Sequence, residues 1–256
     1  MRGVRQLCTA LRYGSAKRRA LSTAPKRITS LDIVRQHTAE ITYADGTTDC
    51  SDTRHLRQDD APDSAWMLAR AALDATASEF ACAARDESPF LSRAALLDRK
   101  VAGAVTPQVD NPATRFGKVS EPLAVQAYRD QTGFAVRETG LYTCADRRYG
   151  ASPDGVVTDA AGAEGLLEVK CLFSERRRSF VSFAKPPARY LPQVQGQLAL
   201  SGHAWCDLAL WIPNHLAIFR IDRDAHYWDA VLRPGLAAFS DELRVRRWSR
   251  TNGLPL

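Results

Sequence analysis

No disulfide framework can be read from this sequence. Its six cysteines (Cys8, Cys50, Cys82, Cys144, Cys171 and Cys206) stand singly among 256 residues, with no C-x-x-C pair and no Cys/His spacing that would build a zinc site. A disulfide-stapled secreted fold and a zinc module are thereby excluded, and the thiols are expected to be reduced in a non-secretory compartment. Also missing is any apolar run of the roughly 18 or more residues that a membrane-spanning helix needs. No membrane partner is expected. The first 31 residues lack acidic side chains altogether, while they hold eight basic ones: Arg2, Arg5, Arg12, Lys17, Arg18, Arg19, Lys26 and Arg27. They contain no apolar h-region either, which excludes a secretory signal.

The net charge of +6 belongs to that segment, because the rest of the chain carries 27 basic against 29 acidic residues. Overall basicity is therefore no argument for nucleic-acid binding. Arginines spaced by Leu, Val, Ala and Ser without acids form an amphipathic cationic helix of transit-peptide type. Arg18-Arg19-Ala20-Leu21-Ser22-Thr23 resembles a mitochondrial processing site. Residues 1–27 are expected to be a transit peptide to the mitochondrial matrix. The alternative is a basic tail that touches nucleic acid directly in a cytoplasmic or nuclear protein.

With 45% hydrophobic and 25% charged residues, the chain can build one sizeable core. Residues 28–62 read as an extension or linker, with a hairpin at Glu40–Tyr43 and a turn at Asp45-Gly46. Residues 63–250 read as one domain. Its pattern predicts helices over Asp63–Arg85, Ser92–Val101 and from Thr114 or Phe116 to Gly133, where Pro122 demands either a start at Glu121-Pro122 or a kink. Strands are predicted at Phe134–Tyr142, Gly155–Thr158, Gly165–Cys171, Trp205–Ile212 and His215–Ile221, with helices at Pro192–Leu200 and Ala225–Arg247, the last interrupted at Pro234-Gly235. This order predicts a mixed α/β core with a central mixed sheet flanked by helices, rather than a doubly wound sheet.

Chemistry concentrates in two short segments. In a strand, residues two apart share a face, so Glu168 and Lys170 project together from Leu166-Leu167-Glu168-Val169-Lys170-Cys171-Leu172. A Glu-x-Lys triplet alone is close to chance. In an apolar strand, however, two uncompensated charges would be expensive to bury, and a divalent cation compensates a carboxylate better than a structural ion pair does. Asp154 lies upstream in Ser152-Pro153-Asp154-Gly155, which by itself is an ordinary turn sequence.

An Asp, a hairpin turn and Glu-x-Lys on an apolar strand together resemble the PD-(D/E)xK nuclease superfamily, and more narrowly its lambda-exonuclease or YqaJ-type viral recombinase branch. The resemblance runs from Asp63 to Arg223. It covers Asp63-Ser64-Ala65-Trp66 with Arg70 and Thr76-Ala77-Ser78-Glu79, Phe116-Gly117-Lys118 with Glu121, GASPDG and LLEVKC, and Tyr190 with Gln193-Val194-Gln195. It implies a restriction-endonuclease-like core and a 5′-to-3′ exonuclease acting on double-stranded DNA ends in recombination, repair or degradation. The implied cofactor is Mg²⁺, with Mn²⁺ able to substitute, as one or two ions.

For phosphodiester hydrolysis, Asp154, Glu168 and the Val169 carbonyl would hold metal, Lys170 would orient the attacking water, and Glu121 would serve a second ion. The alternative for Glu121 is a carboxylate at a helix N-terminus. Gln193 would hydrogen-bond near the site. By resemblance, Arg70, Ser78 and Ser152 match a pocket for the terminal 5′-phosphate. The runs Arg176-Arg177-Arg178 and Arg147-Arg148 flank the catalytic segments and are read as phosphate contacts. Relatives work with single-strand annealing partners and form rings, so such a partner and a homo-oligomer belong to the expectation. A structure-specific or single-strand nuclease, or a non-catalytic DNA-binding module on the same fold, remains open at this point.

Overall fold

The computed structural model describes residues 26–85, 88, 91–103, 111–173 and 185–253. The expected transit peptide falls outside these, save its last two residues. The described chain begins with an antiparallel meander of β1 (Ile28–Arg35), β2 (Thr38–Tyr43) and β3 (Thr48–Asp52). Asp45 accepts the Thr47 N–H at 3.0 Å in the turn after β2, and Gly46 takes φ +81°, a left-handed position that glycine adopts without strain. Residues read from sequence as an extension thus supply a sheet. Its Leu31, Ala39 and Ile41 are buried with Trp66, Ala69, Leu73 and Leu141.

The single helix expected over Asp63–Arg85 is instead divided into α1 (Ala65–Ala71), β4 (Ala75–Thr76) and α2 (Phe80–Arg85). Ser64 caps α1 by accepting the Met67 N–H at 3.1 Å. The division is tertiary in origin, because the Asp74 and Ala75 amides donate to the Arg148 carbonyl at 2.8 and 3.3 Å. Thr76 and Glu79 then form a capping box that starts the next helical segment.

After α3 (Arg93–Ala102) comes α4 (Pro112–Thr132), capped by Asn111 and ended by Gly133 at φ +70°. The helix starts earlier than either expected position, with Pro112 in its first turn and Pro122 inside it. Glu121 therefore lies mid-helix, away from the N-terminal dipole. The strand expected over Phe134–Tyr142 is split into β5 (Ala135–Arg137) and β6 (Tyr142–Thr143), followed by β7 (Tyr149–Ala151), β8 (Gly155–Thr158) and β9 (Glu164–Cys171). Between β5 and β6, the Gly140 and Leu141 amides bond to the carbonyls of Arg54 and Thr53 rather than to a strand of the same sheet.

The chain ends with α5 (Leu191–Ser201), β10 (Trp205–Ile212), β11 (His215–Asp222) and α6 (Ala225–Tyr227), which runs through a π-turn, Trp228–Leu232, into α7 (Arg233–Thr251). The irregularity predicted at Pro234-Gly235 falls just before it, since proline is accommodated in the first turn of α7.

The central sheet has the order β11-β10-β9-β8-β5, and β9–β10 is its parallel pair among antiparallel neighbours. Such a pair needs a crossover, and α5 lies within it. Alternation along β9 sends Leu167 and Val169 into a cluster with Ala124 and Tyr128 of α4. Leu166 faces Val194 and Leu198 of α5 on the other side. Each fully buried leucine contributes about 2 to 3 kcal/mol to this sandwich. Glu168 and Lys170 share the α5 face with Leu166, where a lone charge would be costly.

Candidate active site

Asp154 immediately precedes β8 and is held by two contacts with β9. Its N–H donates to the Leu167 carbonyl at 3.0 Å, and its Oδ2 accepts the Val169 N–H at 2.6 Å. Strand geometry puts the N–H and C=O of a residue on the same edge, so the Val169 carbonyl also faces the flank occupied by Asp154. Pro153 and Gly155 thus deliver a carboxylate to the place where β8 begins and β9 runs on past it.

Glu168 is 2% exposed, and side chains occupy both of its oxygens. Oε1 accepts from Lys170 Nζ at 2.5 Å and from Gln193 Nε2 at 2.6 Å, while Oε2 accepts from Gln197 Nε2 at 2.5 Å. The two glutamines lie one helical turn apart on the face of α5 that covers β9. Lys170 Nζ sits 5.7 Å from the centre of the Tyr190 ring, which adds a cation–π contact.

Burial, then the charges of Glu168 and Glu121, push the Asp154 carboxyl well above its usual range, against Lys170 and the Val169 N–H. Glu121 is raised as well, by burial and then by Glu168 and Asp60, with Lys170 opposing. Burial alone would lower the Lys170 ammonium, but Glu168 and Asp154 outweigh it and hold the group above the ordinary lysine range. Lys170 is consequently a fixed cation rather than a base at neutral pH.

Three carboxylates thus act electrostatically on one another and on one ammonium, and their donor atoms are oxygens. Oxygen donors are the kind a hard divalent cation takes, and Asp154, the Val169 carbonyl, Glu121 and Glu168 are the residues that could hold one. Among the described residues no three His, Cys, Asp or Glu side chains close on one point as a ready-made metal cluster. Both Glu168 oxygens are engaged with side chains, so coordination by it would displace one of their hydrogen bonds.

The second group of candidates forms a neighbouring cluster. The Arg70 guanidinium stacks over Trp66 at 4.5 Å, and Trp66 Nε1 donates to Ser152 Oγ at 3.0 Å. Burial depresses the Arg70 pKa, against support from Glu79, Asp60 and Glu168. Ser78 is exposed in the segment leading to α2, with its hydroxyl 3.2 Å from that of Thr76. Arg176, Arg177 and Arg178 lie outside the described residues. Arg147 and Arg148, read as phosphate contacts, are engaged internally: Arg147 donates to the carbonyls of Ile33 and Val34, and Arg148 pairs with Asp146 at 2.7 Å.

Two residues that position the site escape sequence reasoning. Gln197 is one turn beyond Gln193, and i, i+4 spacing along α5 would have found it. Gln58, whose Nε2 donates to the Pro153 carbonyl at 2.7 Å, carries no local signal. Its partner is 95 residues away. Gln195, by contrast, faces elsewhere and bonds the Asp222 carbonyl and the Asp224 amide at 2.8 Å each.

Residues 65–204 match the YqaJ-like viral recombinase domain. No curated protein matches the chain. Among solved structures, an alkaline exonuclease, LHK-Exo from Laribacter hongkongensis, is 31% identical with a TM-score of 0.58, covering 73% of this chain and 96% of that one. LHK-Exo in complex with dAMP matches at 27% identity and a TM-score of 0.60 over the same shares. The matched region spans more than half of the sequence, and the chain belongs to the YqaJ-like viral recombinase family, with a PD-(D/E)xK fold of lambda-exonuclease type.

Proposed function

We propose that this protein is a metal-dependent deoxyribonuclease that degrades double-stranded DNA from its ends, in the 5′-to-3′ direction. The observation that carries the reading is the convergence of Asp154, Glu168 and Lys170 beside the start of β8, with Gln193 and Gln197 holding Glu168 from α5. The likeness to an alkaline exonuclease supports the class of reaction. Bound Mg²⁺, or Mn²⁺ in its place, would lower the pKa of a coordinated water and offset charge on the phosphate.

The protein's own groups do the rest. Asp154, Glu121 and the Val169 carbonyl would hold the ion or ions. Lys170, kept charged by its neighbours, hydrogen-bonds the attacking water and stabilises the extra negative charge of the transition state. Gln193 and Gln197 fix Glu168, and through it Lys170. Arg70, stacked on Trp66, and Ser152 would receive a terminal phosphate, which sets polarity by seating the end nucleotide beside the catalytic carboxylates.

The purified chain should degrade 5′-phosphorylated linear duplex with Mg²⁺ and spare closed circles, and Asp154→Ala or Lys170→Ala should each abolish cleavage. Activity persisting in both variants would refute the mechanism. Action in the mitochondrial matrix, in recombination or repair with an annealing protein, is part of the proposal. Import of a fluorescent protein carrying residues 1–27 tests the location.

A further inference from the structure

A cleft of about 590 Å³ runs from the catalytic carboxylates along residues 54–58, walled by Arg54, His55, Arg57 and Arg129 and reaching Glu121 and Asp154. Its basic side comes largely from the chain after β3, ahead of residue 65, where the family match begins. This segment is docked firmly. Buried Thr53 donates its hydroxyl to the Leu141 carbonyl at 2.6 Å, and the Gly140 and Leu141 amides donate to Arg54 and Thr53 carbonyls at 2.7 and 2.8 Å. A Cβ at Gly140 would lie 2.4 Å from the Thr53 carbonyl oxygen, so only glycine allows this approach. Gln58 bridges the Thr139 carbonyl at 2.9 Å and the Pro153 carbonyl at 2.7 Å. One frame therefore holds the basic wall and the peptide that carries Asp154.

The charges on this wall are not equivalent. Arg54 is paired with Asp52 at 2.7 Å. Arg129 donates to the Val136 carbonyl at 2.9 Å, and among the described residues neither Arg129 nor Arg57 has a carboxylate partner, although Glu138 also lines the cleft. Both arginines are exposed. Among the described residues no Phe, Tyr or Trp lines the cleft, and His55 is the ring available there for stacking on a base. Exposed guanidinium forks leading up to hydrolytic carboxylates suit phosphates in series with the one being cut.

We propose that Arg57 and Arg129 bind the sugar-phosphate backbone of the DNA strand adjoining the scissile bond, so that the segment after β3, which precedes the matched family region, forms a substrate-binding wall together with α4. The inference rests on the nuclease reading above. It is tested by binding of a labelled linear duplex to the full chain carrying Asp154→Asn, measured by fluorescence anisotropy between about 50 and 200 mM salt. Each lost phosphate contact reduces the slope of log affinity against log salt by about 0.9. Arg57→Ala with Arg129→Ala should therefore lower the slope by about 1.8 and weaken binding about tenfold, Arg57→Lys should restore most of its share, and Arg244→Ala on α7 should change neither quantity. An unchanged slope and affinity in the double variant overturns the wall, even if the unsubstituted chain cleaves DNA. Failure of that chain to cleave any DNA with Mg²⁺ overturns the nuclease reading instead, and a reduced slope in that case still establishes the wall.

Discussion

Replacing Lys170 by methionine separates the electrostatic role of this residue from its catalytic one. The Lys170–Glu168 pair is 2.5 Å apart, and at an effective dielectric constant of about 20 the gross attraction is about 7 kcal/mol. Desolvation cancels most of it, but removing one partner of a buried pair still costs about 3 to 5 kcal/mol, because the other charge is left behind. Lys170 is 26% exposed against 3% for Glu168, and both glutamines continue to donate to the carboxylate, so the expected loss is about 2 to 3 kcal/mol.

The diagnostic measurement is a double-mutant cycle with Glu168→Gln, by urea unfolding in a chelator with circular dichroism as the probe. Adding Glu168→Gln to Lys170→Met should recover about 1.5 kcal/mol or more, since it removes the unpaired charge. Mg²⁺ should also stabilise Lys170→Met more than the unsubstituted chain. Strictly additive losses, or a Lys170→Met variant within about 0.5 kcal/mol of the original, would refute the reasoning.

Gln197→Leu removes a charged hydrogen bond but also an amide whose Oε1 is buried without a partner, so stability should change by less than about 1 kcal/mol. Loss of the donor to Glu168 should nonetheless cut activity by about 10- to 100-fold and shift the Mg²⁺ concentration for half-maximal rate; an unchanged metal response would count against it. Chelation should abolish cleavage, and Mg²⁺ should restore it in a titration of the stripped protein. Gly140→Ala, forced against the carbonyls of Thr53 and Leu56, should destabilise the protein by about 1 to 3 kcal/mol in urea unfolding. His37 accepts the Thr143 N–H at Nδ1, 2.9 Å away, and burial, then Arg54, lower its pKa against Asp52. The unfolded chain therefore takes up the proton first: the stability contributed by His37 is complete above about pH 6.5 and declines as pH falls below it. His37→Asn, which tolerates the φ of +56°, should flatten that decline in thermal melts across this range.

The strand that carries the candidate catalytic residues was legible because its information is local. Alternation places Glu168 and Lys170 on one face, and an apolar run around two charges signals that something must compensate them. The mixed sheet, the α5 helix and the glycine end of α4 follow from equally local patterns. Pairing across the fold was not legible. The Arg148 carbonyl turns Asp74-Ala75 into a strand despite alanine-rich helical propensity, and Gly140 diverts its neighbours toward Thr53 and Arg54. Gln58 reaches Pro153 across 95 residues, a contact with no periodicity to betray it.

What the sequence alone determined is which residues are the candidates for the chemistry: Asp154, Glu168 and Lys170 by their spacing, with Gln193 on the helix that follows. Only the tertiary structure decided how they meet. Burial and neighbouring carboxylates raise Asp154 and Glu121, Glu168 is occupied on both oxygens, and residues read as an extension or linker become one wall of the cleft. Charge interactions depend on distance and desolvation, and a linear sequence specifies neither until its strands pair and its helices pack.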